Sequence, residues 1–146
     1  MFPMNHNFWL NELGALESSL LADLNHWQNP DFKPHAGADS LLSLTRKLCA
    51  LPEAYALILG GASEAEVLKA AQGDQEAHTP QALGQLLQVG LLAFRSAFLR
   101  LPEIDMKTRE VKNPLGEDQT AVALTMELIK RMHGLKGQLE LYLKMA

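Results

Sequence analysis

Apolar residues recur at three- and four-residue spacing along four long segments of this chain, and no segment sustains the two-residue alternation of a half-buried strand. That period commits the chain to helices packed on helices. In the first segment, from about Met4 to Gln28, Trp9, Leu13, Leu16, Leu20, Leu24 and Trp27 fall on one face, and the breaker stretch NPDFKPHAG closes it. Asp39 or Ser40 is the expected cap of a second segment carrying Leu41, Leu44, Leu48, Leu51, Tyr55 and Ile58. Pro52 lies inside that segment and removes one backbone donor, so a kink or a division is expected there. Gly60 and Gly61 end it.

Ser63 and Glu66 form a capping box that opens a short helix over EAEVLKAAQG. Thr79 and Pro80 then make a cap and first-turn pair for a third long helix, residues 80 to about 101, carrying Leu83, Leu87, Leu91, Phe94, Phe98 and Leu101. Its apolar stripe is wide, which marks it as the most buried of the four, and Pro102 stops it. The stretch PEIDMKTREVKNPLGEDQ follows, long for a loop in a compact domain and therefore a candidate for mobility or function, with Glu110 to Lys112 as a short extended piece. The last helix opens near Gln119 or Thr120. Its inward series, Ala121, Thr125, Leu128, Met132, Leu135, Leu139 and Tyr142, has the four-and-three spacing of a bundle seam. The expected architecture is all-α: a four-helix bundle with one short extra helix between helices two and three, forming one domain over residues 1–146.

Composition narrows the partners. Apolar residues make up 47% of the 146, charged residues 21%, and the net charge is -4. That balance describes a folded globular chain, and Arg46 with Lys47 is too small a basic cluster to hold nucleic acid. The run LLQVGLLAFRSAFL is broken by Arg95 and flanked by Gln85 and Arg100, which reads as too short to span a bilayer. No basic region followed by an apolar stretch opens the chain, and Cys49 is the single cysteine, so neither an export signal nor an internal disulfide is expected. A reduced, cytoplasmic protein follows from this. A homodimer formed through a helix face is the expected assembly.

Two stretches carry a resemblance. NPLGEDQTAVALTMELIKRMHGLKGQLELYLKM has a Pro-x-Gly loop, a final helix and a Gly-Gln-Leu ending, with Gly137 and Gln138 as the glycine-glutamine pair. DSLLSLTRKLCALPEAY sets Ser40 at the start of a helix and Glu53 near its middle. In these stretches, and in helix order over nearly the whole chain, the sequence resembles the DinB/YfiT-like bundles. The resemblance implies a divalent zinc or nickel ion held by three histidines. One would lie seven residues after the helix-two serine, and two would lie four apart on the last helix, the second two before the glycine. Two such residues share a helix face and a facing helix completes the set, leaving a position open for water or substrate. In this chain those positions are Lys47, Arg131 and Leu135. Leucine has no donor atom, arginine stays protonated, and lysine binds metal only after losing a proton. The expectation is therefore a degenerate site with no metal and no cofactor.

The remaining candidates read as structural. His133 points away from the face of residues 131 and 135, His26 lies near the end of helix one, and His6, His35 and His78 fall at helix starts or in loops, so no pair has ligand spacing. Cys49 could be activated by Arg46 and Lys47, but it sits beside Leu44, Leu48 and Leu51 and reads as a small hydrophobe. Met126, Met132 and Met145 read as core filler. Lys47 and Arg131 would share the cleft between helices two and four and could hold a small anionic ligand, against the plainer reading that Arg131 pairs with Glu127 while Lys47 reaches solvent. Three functions stay open: a bundle without catalysis, a transferase or hydrolase acting on a small thiol or anionic substrate in that cleft, and a protein-interaction module.

Overall fold

The computed structural model describes residues 6–146. The expected helix start at Met4 and the side chain of His6 lie outside the described residues. The elements are α1 (His6–Leu24), α2 (Leu41–Leu59), α3 (Glu64–Gln72), α4 (Pro80–Leu99), α5 (Glu103–Thr108), β1 (Glu110–Val111), β2 (Gln119–Thr120) and α6 (Ala121–Met145). Among the described residues the fold is all-α but for one two-residue antiparallel pair, which sets Glu110 opposite Thr120 and Val111 opposite Gln119. α2 lies against α4 and α6, and α1 lies against the same two helices, so α1 stands diagonal to α2. α3 packs on the outside of α2.

Caps start the helices where the sequence places them. The side chains of Ser40, Ser63, Thr79 and Thr120 each accept a hydrogen bond from the backbone N–H three residues on, satisfying a donor that the first turn leaves free. α1 ends at Leu24, short of the expected Gln28, because residues 25 to 27 bond back three residues rather than four. Trp27 is anchored beyond the helix instead, donating its indole N–H to Thr45 Oγ1 at 3.1 Å.

The stripe leucines of α1, α2 and α6 are buried as expected, with Leu135 and Tyr142 half-buried. Four expectations need correction. Pro52 does not divide α2, which runs unbroken from Leu41 to Leu59. The close packing of α4 against this turn offsets the missing bond: a Cβ on Gly90 would lie 2.8 Å from Glu53 N and 3.2 Å from Pro52 Cβ. α2, and not α4, is the most enclosed helix. α4 buries Leu83, Leu87, Leu91, Phe94 and Phe98 but turns Val89, Leu92 and Leu99 outward, each more than half exposed. Its apolarity on both sides makes it long and apolar enough to cross a membrane by length and composition, contrary to the expectation for the run LLQVGLLAFRSAFL, while its inward stripe is packed inside the bundle. Met132 is core, but Met126 and Met145 are exposed. The long loop also contains α5, held to the body by the fully buried Met106.

Candidate functional site

α6 carries Arg131, Leu135 and Gln138 along one face, and α2 presents Lys47 and Leu51 toward them. Together with Ala71 of α3 and Leu115 of the loop before β2, these side chains line one cleft of about 430 Å³. The three positions singled out in the sequence, Lys47, Arg131 and Leu135, thus meet in a single cavity. So does Gln138 of the Gly-Gln pair. The volume lies within the range of small-molecule sites.

The floor and walls are apolar, and the polar groups stand at the rim. Arg131 is fixed from two sides: its Nη2 lies 3.0 Å from Glu127 Oε1 and donates to the Leu115 carbonyl at 3.0 Å. The pairing with Glu127 is the one the four-residue spacing suggests. Glu127 is itself held by further donors. Tyr55 of α2 donates its hydroxyl to Oε1 at 3.0 Å, and the Gln119 amide donates to Oε2. The guanidinium also lies 5.9 Å from the centre of the Tyr55 ring. Burial pushes the Tyr55 phenol above its ordinary range, opposed by Arg131 and reinforced by the Glu127 carboxylate. The loop rests on this cluster, since a Cβ on Gly116 would meet Asn113 Nδ2 and Glu127 Oε1, both at 3.3 Å.

Lys47 does not simply reach solvent. Its ammonium pairs with Asp39 at 3.0 Å, with both side chains about half exposed. Arg46 is not among the residues lining this cleft: its Nε and Nη2 donate to the Ala77 carbonyl at 3.2 and 3.0 Å. Cys49 is buried, and its thiol is pushed up to about 12 by desolvation, so the neighbouring cations do not activate it. His26 lies in the turn after α1, and His133 is exposed.

The donor set of the cleft does not fit a divalent ion. Leu135 offers no donor, and Arg131 and Lys47 bring two positive charges. Among the described residues, no three His, Cys, Asp or Glu side chains converge on a point that could hold a metal. Sequence reasoning missed Tyr55 and Gln119 as parts of the site. Tyr55 reads only as a stripe residue, and its bond to Glu127 spans 72 positions.

Helix order and packing define an all-α four-helix bundle with one short extra helix on α2. A DinB-like protein from Bacillus subtilis, known from its crystal structure, superposes with a TM-score of 0.71, covering 93% of this chain and 90% of that one at 16% identity. The likeness shows the fold, and the sequence resemblance is borne out at that level. No family model matches the chain, and no curated protein matches it.

Proposed function

We propose that this chain is a metal-independent, non-catalytic DinB-like bundle whose α2/α6 cleft binds a small anion. One observation carries the reading. Arg131 uses a single nitrogen, Nη2, for both Glu127 and Leu115, and among the described residues Nε and Nη1 have no partner. A guanidinium held in place with Nε and Nη1 protons uncommitted can still donate a charge-assisted hydrogen bond to a carboxylate or phosphate. Lys47 across the cleft adds a second positive charge at the rim. An enzyme working through Cys49 is the weaker reading, because that thiol is enclosed in the core.

We also propose a homodimer in a reducing, cytoplasmic setting, formed through the outward stripe of α4. Val89, Leu92, Ser96 and Leu99 recur at three- and four-residue spacing on its exposed face.

Titration of isotope-labelled protein with sodium phosphate and, separately, sodium acetate tests the binding reading. Saturable amide shifts confined to Leu115, Arg131, Gly134 and Gln138, absent in Arg131→Gln, are expected. Uniform salt-like drift without saturation overturns it.

A further inference from the structure

The apolar floor of the cleft narrows the ligand class, on the reading that the cleft is an anion site. We propose that the ligand is an amphipathic monocarboxylate, its head on an uncommitted N–H of Arg131 and its apolar body laid over Leu51, Ala71 and Leu135. Three features of the cleft lead there.

First, the polar groups are donors confined to the rim. Arg131 offers Nε and Nη1, and Gln138 carries an amide with no hydrogen bond among the described residues. Lys47 keeps ammonium protons beyond the one given to Asp39. Second, below that rim the cleft presents aliphatic groups from four separate elements: Leu51 of α2, Ala71 of α3, Leu115 of the loop and Leu135 of α6. A bare phosphate or sulfate would fill the rim and leave this surface wet, while an alkyl or aryl body would cover it. Third, the negative charge nearest Arg131 is already committed. Glu127 is bound by Tyr55 and Gln119 as well as by Arg131, so a ligand carboxylate need not displace it. A single-point contact to an Nη1 proton leaves the Nη2 contacts intact.

A cavity of about 340 Å³ at the C-terminal end of α2 offers no comparable match. Its rim mixes Asp105 and Glu110 with Arg109 and Lys112, so it favours neither sign of ligand.

The test is calorimetric titration of the full chain with octanoate, acetate, octanol and inorganic phosphate at one ionic strength. Octanoate should bind at least about tenfold tighter than acetate, since each methylene taken out of water contributes about fourfold. Octanol, with the body but no charge, should bind roughly ten- to a hundredfold more weakly than octanoate, the size of a hydrogen-bonded charge contact. Arg131→Gln removes the charge and should weaken octanoate by at least about tenfold. Leu135→Glu should abolish octanoate binding while leaving the thermal transition cooperative. That variant keeps the test decisive if the Arg131 variant fails to fold. Acetate or phosphate binding as tightly as octanoate would overturn the amphipathic inference and leave the anion site standing. Octanol binding as tightly as octanoate would overturn the head contact. No binding by any of the four would sink both.

Discussion

Tyr55 on α2 donates its hydroxyl to Glu127 on α6 at 3.0 Å, joining two segments 72 residues apart at the wall of the cleft. Through Glu127 the same bond reaches Arg131 and Gln119. One carboxylate therefore fastens α2, the strand before α6 and the arginine of the cleft.

Tyr55→Phe removes that donor from a charged acceptor and should destabilise the protein by about 1–3 kcal/mol. The native phenol keeps its proton at a pH where the unfolded chain gives it up, because its folded value is raised. Its contribution is therefore complete below the ordinary tyrosine value of about 10 and is lost as pH rises beyond it. Urea unfolding at pH 8 and pH 10.5 should show the wild type losing more stability across that interval than Tyr55→Phe. Parallel losses would contradict the bond.

Gly90 sits where α4 meets the Pro52 turn of α2, with only 2.8 Å between a would-be Cβ and Glu53 N. That neighbour is backbone and cannot swing aside. Gly90→Ala should lower stability by about 1–3 kcal/mol through forced separation of the helices, even though alanine favours helix more than glycine does. A raised melting temperature would show that the contact is looser than described.

The seams of α1, α2 and α6 were legible because their apolar positions face one way and their polar positions the other. α4 misled because apolarity reports what a face could bury, not whether a neighbour covers it: Leu92 and Leu91 are adjacent leucines, one 64% exposed and one 6%. α5 was hidden by its shortness, with Met106 as its single buried residue. At the cleft, the four-residue spacing of residues 131 and 135 and the pairing of Arg131 with Glu127 could be read locally. The partner of Lys47, Asp39, lies before the helix cap, and Tyr55 and Gln119 reach Glu127 only through the fold.

Away from the cleft, Lys136 lies between Asp23 of α1 and Glu140, 3.8 Å from the first and hydrogen-bonded to the second. Burial raises the Asp23 carboxyl despite the lysine, and the hydrogen bond to Glu140 raises Lys136. Lys136→Met should destabilise by about 1–2 kcal/mol at pH 7, between the values for exposed and buried pairs, by leaving two carboxylates facing each other. A raised folded carboxyl favours the native state below its unfolded value and loses that advantage as pH rises through the folded one. The deficit should therefore shrink from pH 7 toward pH 4, and Asp23→Asn should rescue part of it. A deficit constant with pH would exclude the charge account.

If α4 forms the dimer face, light scattering during gel filtration should give twice the chain mass for the wild type. Leu92→Glu should give a monomer with an unchanged helical spectrum, because the side chain is exposed in the single chain. A wild-type monomer at high concentration would refute the assembly.

We propose that the α2/α6 cleft is built around a fixed arginine and holds no metal. Plasma emission spectroscopy of protein produced with zinc and nickel supplied, then desalted, tests it most directly. Less than about a tenth of an equivalent of either metal per chain is expected, with a melting temperature that chelator leaves unchanged, since a ligand that does not bind cannot stabilise the native state. One equivalent of zinc or nickel per chain, lost together with thermal stability on chelation, would contradict it.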